Sequence, residues 1–254
     1  MGCTRTVAKR FNTCSRKIIP HDSVICDWLH LQEQQNNVPV PVPVPAKIMY
    51  SDEVTVTREG IHNTRNNHEW AAENPHATYI RGQQQRISIN VWAGIVNNHV
   101  IGPAILPDRL DRFSYLGFLQ HVLPDLLDTA GVPPEVRQTM WLQHDGAPAH
   151  YAVIVREYLN EAFPGRWIGR GGPVLWPARS PDLNPLDFFM WGYLRDLMYD
   201  NGPLADEEEV IARLVAASAE IKETPGIVAK VRQSMSQRVA LCIQQQGGHF
   251  EHLL

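Results

Sequence analysis

Long apolar runs are missing from this 254-residue chain. No stretch approaches the roughly 18 apolar residues a membrane-spanning helix needs, so no membrane partner is expected. Cysteine is scarce: Cys3, Cys14, Cys26 and Cys242 stand too far apart for a zinc-ligand spacing, and reduced thiols in an intracellular compartment are the expectation. No signal-peptide pattern opens the chain. An excess of positive charge is lacking too. The formal net charge is −4, contrary to what handling a polyanion would favour. The basic residues are unevenly placed, however. Residues 1–17 hold Arg5, Lys9, Arg10, Arg16 and Lys17 and no acid, an arm that suits phosphate contact, nuclear import or plain solvation equally well. With 44% hydrophobic and 20% charged residues, the composition is that of a globular domain rather than a disordered chain.

What is present divides the chain into three. Asp22 to Gln35 has the apolar spacing of a short helix, and alternating proline from Val38 to Pro45 forbids helix or central strand, leaving an extended linker. Residues 1–45 are therefore expected to be an arm, a helix and a linker, 46–200 the main domain, and 201–254 a C-terminal helical extension. Within the main domain, Lys47 to Thr57 alternates, with Ile48, Tyr50, Asp52, Val54 and Val56 on one face and Met49, Ser51, Glu53, Thr55 and Thr57 on the other. Asp52 is the single charge on the apolar face. An unpaired buried carboxylate costs several kcal/mol, so it is expected to be paired, protonated or bound to a cation. Glu53 points the other way and reads as a surface residue. Residues 60–86 are rich in Asn and His and read as a loop, with Arg81 and Arg86 able to face a polyanion.

Ile87–Ile95 and His99–Leu106 read as a hairpin turning at Asn97-Asn98, and Phe113–Leu127 as a helix. Met140-Trp141-Leu142 is a short strand ending at His-Asp-Gly-Ala-Pro-Ala-His (144–150), followed by a helix from Ala149 to Phe163 and a strand at Val174-Leu175-Trp176. Asp145 thus falls at the carboxyl end of a strand, where α/β sheets gather their ligands. Asn184 suits an N-cap and Pro185 the first helical position, which puts Asp187 in the first turn of a helix with Leu186, Met190, Tyr193, Leu194 and Leu197 on its apolar stripe. An acid there is favoured by the helix dipole alone, by about 0.3–1 kcal/mol. Asp145 likewise has a plain role available as a turn residue. Beyond this helix, 206–215 and 226–243 read as two packing helices.

Two phrases change the weighing. His144-Asp145-x-Ala147-Pro148-x-His150 and Ser180-Pro181-Asp182-Leu183-x-Pro185-x-Asp187, preceded by Ser51-Asp52-Glu53, resemble the catalytic motifs of mariner-type transposases. The resemblance covers about residues 47–254. It implies an α/β RNase H-like fold, a mixed five-stranded sheet flanked by helices, with Asp52, Asp145 and Asp187 as the acidic triad that holds two Mg²⁺ or Mn²⁺ ions. It further implies cleavage of DNA phosphodiesters and transfer of the 3′-hydroxyl end to target DNA in the nucleus, by a protein that binds transposon ends and works as a homodimer.

There are two departures. Asp145 and Asp187 lie 187 − 145 = 42 positions apart, a longer spacing than common members show. No complete helix-turn-helix is legible ahead of the linker, which points to a truncated or decayed copy, or to an incomplete gene model. Carboxylate oxygens suit Mg²⁺ or Mn²⁺ better than zinc. His144 and His150 read as hydrogen-bonding supports for Asp145, while Trp176, Arg179 and the glycine-rich turn at 169–172 are candidates for DNA contact. Alternatives remain: a catalytically idle or host-adopted DNA-binding protein of the same fold, and an unrelated α/β protein whose acids are only caps and turns.

Overall fold

The computed structural model describes residues 25–31, 47–62, 87–177, 180–200 and 202–254. The basic arm, the Val-Pro linker, most of the Asn/His-rich loop with Arg81 and Arg86, and Arg179 lie outside them.

The central strand is β1, Ile48–Thr57. It pairs antiparallel with β3 (Ser88–Val96) on one side, parallel with β5 (Trp141–Gln143) on the other, and with the two-residue β2 (Ile61–His62) at its far end. β4 (His99–Leu106) closes the hairpin onto β3, and β6 (Trp167–Ile168) lies outside β5. The order β4-β3-β1-β5-β6, with β2 off the path, is the mixed sheet expected from the sequence. The hairpin turns where Asn97-Asn98 marks it. Asn97 has φ of 51°, a left-handed conformation that Asn tolerates better than most residues.

Both faces of this sheet are covered, and the strands show it residue by residue. Ile48, Tyr50, Val54 and Val56 of β1, with Ile89, Val91, Ala93 and Ile95 of β3, pack into one core; Met49 of β1 and Trp92 and Val96 of β3 pack into the other. Trp167 and Ile168 of β6 divide the same way. Period-two alternation therefore sorts side chains between two dry layers rather than between core and water, as it must when helices flank a sheet on both sides.

The second core is roofed by helices that follow β4. Arg112–Gly117 (α2) and Leu123–Thr129 (α3) are joined by a wider π turn at Phe118–Val122. The sequence predicts one unbroken helix here. Pro124 explains the break: it has no N–H to return to the preceding turn, and the N–H of Leu123 reaches back instead to the carbonyl of Phe118. After α4 (Pro134–Thr139) and β5, helix α5 (Val153–Ala162) starts four residues later than predicted, because 148–151 form a turn. The strand predicted at Val174-Leu175-Trp176 is a single bridge from Val174 to Ile168; the fifth strand proper is β6. Two residues between Arg166 and Gly169 carry no periodic signal, whereas the longer apolar run downstream mimics one.

The first core is closed by the late helix and the C-terminal pair. Asn184 caps as expected, its side-chain oxygen accepting from the N–H of Leu186 at 3.1 Å. A π turn at Leu186–Met190 then leads into α6 (Trp191–Met198). Helices α7 (Glu207–Glu223) and α8 (Ile227–Gln244) add Val210, Leu214, Ile221, Met235 and Val239 to the same core, while Val215 is exposed. The helix at 25–31, α1, also belongs here. Its Ile25, Cys26 and Leu29 are buried in this core, and Trp28 meets Trp141 edge to face at 4.8 Å between ring centroids.

Leu29 is 1% exposed and Leu31 52%. Leu29→Ala is expected to destabilise the protein by about 2–5 kcal/mol in urea unfolding, while Leu31→Ala stays within about 0.5 kcal/mol. Equal effects would mean α1 is not docked.

Candidate active site

β1 and β5 run parallel only from Ile48–Trp141 to Tyr50–Gln143. Beyond that register they part, and the residues just past the split hold the chemistry. Ser51 manages the junction: its hydroxyl donates to the Gln143 carbonyl at 2.6 Å, and its N–H donates to the Gln143 side-chain oxygen at 3.2 Å. The Ser51 N–H and the Gln143 carbonyl at the splay are thereby satisfied without water.

Asp52 enters from β1 on the side of the first core. It is only 7% exposed, and its Oδ2 accepts from the indole N–H of Trp191 at 2.9 Å. Burial pushes its pKa well above the ordinary carboxylate range, the neighbouring charges of Asp187 and Glu53 push it further, and the Trp191 hydrogen bond offsets only part. Asp187 is half-buried on the π turn, one helical turn before Trp191, which is how one helix brings both an acid and an N–H to Asp52.

Asp145 is half-buried on the loop after β5. One of its oxygens accepts from the Ala147 N–H at 2.9 Å, so it does act as a turn residue, and the same oxygen lies 2.8 Å from Nδ1 of His150. The other ring nitrogen of His150 lies 3.3 Å from Glu53. These are close approaches off the ideal N–H directions rather than aligned hydrogen bonds. Glu53 is thus not the surface residue that simple alternation predicts. Its side chain is 14% exposed and faces the second layer, where His150 stands between it and Asp145. Glu53, Asp145 and His150 bring one ligand atom each within 4.8 Å of one another, a grouping the predicted triad of Asp52, Asp145 and Asp187 does not form among the described residues.

Behind this group is a stack of rings. His150 lies parallel to His144 with centroids 5.0 Å apart, and Tyr115 covers His150 at 4.0 Å. Burial, then the proximity of His150, holds the pKa of His144 well below its usual value, and burial with the Glu53 charge holds that of Tyr115 well above. Both are neutral in consequence. The Tyr115 hydroxyl and Nδ1 of His144 share a hydrogen bond at 3.1 Å whose direction follows the imidazole tautomer, and Nε2 is buried without a partner among the described residues. That edge is sealed by Gly169, where a Cβ would fall 2.6 Å from Nε2. His144 is a support, as its place before Asp145 leads one to expect. Tyr115 and Trp191 carry no motif, and only their size and apolar spacing mark them in the sequence, as core.

Because Asp52 binds its proton more tightly folded than unfolded, its effect on stability is most favourable at low pH and is lost as pH rises from the ordinary carboxylate value toward the raised one. In EDTA, Asp52→Asn is expected to melt higher than the wild type at neutral pH and to remove this fall. Melts from about pH 4 to pH 8 check it, and a lower-melting Asn variant at neutral pH would contradict it.

No family model and no curated protein matches the sequence. Solved structures do match the fold. The Mos1 transposase paired-end complex with left transposon end aligns over 99% of this chain and 68% of its own, at 18% identity and a TM-score of 0.67. The mariner Mos1 paired-end complex with Mg aligns over the same shares at 19% identity and a TM-score of 0.67. The Mos1 catalytic domain alone aligns over 93% of this chain and 97% of its own, at 18% identity and a TM-score of 0.65. The chain therefore takes the RNase H-like fold of a mariner transposase catalytic domain.

Proposed function

We propose that this chain is the catalytic core of a metal-dependent DNA transposase. It would cleave DNA phosphodiesters and join the 3′-hydroxyl end to target DNA, with transposon ends and target DNA as partners, in a homodimer acting in the nucleus. The observation that carries the reading is the chain of acids where β1 and β5 part, Asp52 beside Asp187 and Glu53, and Glu53 linked to Asp145 through His150, in the fold of a mariner transposase. Mos1 structures of that fold include complexes with Mg and with Mn.

The donor set fits such ions. Carboxylate oxygens are hard ligands, and the upward push on Asp52 from burial and like charge is what a divalent cation would reverse. Asp52, Asp145 and Asp187 are the residues assigned to hold them. When bound, the cations supply a more acidic attacking water and stabilise the leaving oxygen. The chain's own residues do the rest. Trp191 fixes Asp52, the Ala147 N–H and His150 fix Asp145, and the π turn carries Asp187 toward Asp52. The water's proton leaves to solvent as the 3′-hydroxyl and 5′-phosphate form. In the joining step that hydroxyl displaces a 3′ oxygen of the target strand.

Supercoiled plasmid is expected to be nicked with Mn²⁺ and not with EDTA, and Asp145→Asn to slow nicking by at least about a hundredfold. Mn²⁺ should raise the melting temperature of the wild type and not of Asp52→Asn. Nicking that survives both EDTA and Asp145→Asn would sink the reading. No nicking together with no Mn²⁺-dependent melting shift would favour the idle, host-adopted form instead.

A further inference from the structure

Beside the carboxylates lies a surface none of the above uses. The Tyr151 ring, 37% exposed, has Cζ of Arg156 at 4.7 Å and Cζ of Arg170 at 4.4 Å from its centroid. Across an open groove, Cζ of Arg112 lies 4.8 Å from the ring of Phe113, which is 63% exposed, and Arg109 lines the same groove. Among the described residues none of these four arginines forms a salt bridge to a carboxylate. The acid within the groove, Asp111, has one oxygen accepting the N–H groups of Phe113 and Ser114 at 2.9 Å each and also feels the Arg109 charge.

Three arginines line the groove and a fourth, Arg170, lies on its Tyr151; with two solvent-reaching, arginine-covered aromatic rings, on a chain with net charge −4, they make a local match for a polyanion that carries flat rings of its own. A duplex hides the faces of its bases in its stack. An unpaired strand offers them, and the exposed rings of Tyr151 and Phe113 are the complementary surface.

The groove is also joined to the site. A Cβ on Gly146 would lie 3.7 Å from both Cβ and Cδ of Arg170, so the residue next to Asp145 rests against the arginine that covers Tyr151. The N–H of Tyr151 donates to the carbonyl of Ala147 at 3.1 Å. Gly171, at φ of 78°, brings its loop so near that a Cβ would fall 2.9 Å from the Tyr151 ring. The glycine-rich turn serves, then, to lay Arg170 on Tyr151.

We propose that this groove grips an unpaired nucleic-acid strand next to the carboxylates, layering bases on the arginine-covered rings of Tyr151 and Phe113 and seating phosphates on Arg109, Arg112, Arg156 and, at the groove's edge, Arg170. The proposal rests on the DNA-processing reading for where the strand comes from, but the grip itself needs neither metal nor chemistry.

It is tested on the full chain in EDTA by fluorescence anisotropy, with a labelled oligothymidine of about 15 nucleotides and a duplex of equal length. The single strand should bind more tightly than the duplex. Tyr151→Ala should weaken single-strand binding about tenfold with an unchanged melting temperature, and Tyr151→Phe should bind as the wild type. Arg170→Ala should shrink the slope of log affinity against log salt by about 0.7. A preference for duplex, wild-type binding by Tyr151→Ala, or equal loss in the Phe and Ala variants would overturn the proposal. Metal-dependent nicking alongside normal oligonucleotide binding by Tyr151→Ala sinks the groove alone. Absent nicking with weakened binding by Tyr151→Ala sinks the cleavage reading and leaves the groove standing.

Discussion

A carboxylate on the central strand, beneath a helix and beside other carboxylates, is the constraint around which this fold is arranged. Asp52 is held in a place that electrostatics disfavours: burial withdraws water from its charge, and Asp187 and Glu53 add repulsion. One indole N–H does not balance this. The neighbouring structure must therefore be stable enough to hold the strain, and two cores flanking one sheet provide that. Asp52 sits where Tyr50 and Val54, two residues away on either side, are anchored in the first core. The strand cannot rotate the acid outward without exposing both.

The same strand explains why consecutive residues serve different neighbours. Asp52 reaches Trp191 and the late helix, while Glu53, turned through the pleat, reaches His150 and the ring stack on Tyr115. Alternation that would normally separate two side chains here places an acid in each layer at the point where β1 and β5 diverge. Asp145 closes the gap from the far side of the split through His150. A one-residue slip of β1 would exchange the layers that Asp52 and Glu53 face, so the site depends on register as strictly as the cores do. The π turn at Leu186–Met190 is consistent with this, since widening a helix by one residue re-aims a side chain, here Asp187, with the apolar stripe kept inside.

Much of this is legible in the chain because short-range rules agree with the fold. The burial of Asp52 follows from alternation in ten residues, the late helix start from Asn184-Pro185, and the hairpin from Asn97-Asn98. What escapes has physical reasons. β6 is two residues long, too short for a period, and the rigid reading of Val174-Leu175-Trp176 as a strand ignores that only Val174 finds a partner. Glu53 reads as exposed because alternation turns it away from the apolar face, yet His150 and Tyr115 from distant sequence stand against it. Trp191 and Tyr115 look like core and are core. That their polar atoms also serve Asp52 and His144 depends on which element packs where.

The ring stack gives the site a rigidity that carboxylates alone would lack. His144 is neutral, shares a hydrogen bond with the Tyr115 hydroxyl, and is closely approached at Nε2 by Gly169, so it has no freedom to turn toward Asp145. Its parallel partner His150 packs against both that ring and Tyr115, which fixes with it the spacing of Asp145 and Glu53. The glycine-rich turn is thus bound to the site at both ends of its first three residues: Gly169 against His144 inside, Gly171 against Tyr151 outside. One short loop sets both the back wall of the carboxylate cluster and the arginine-covered ring in front of it. The two surfaces cannot shift independently, and whatever strand rests on Tyr151 is thereby held in a fixed relation to Asp145.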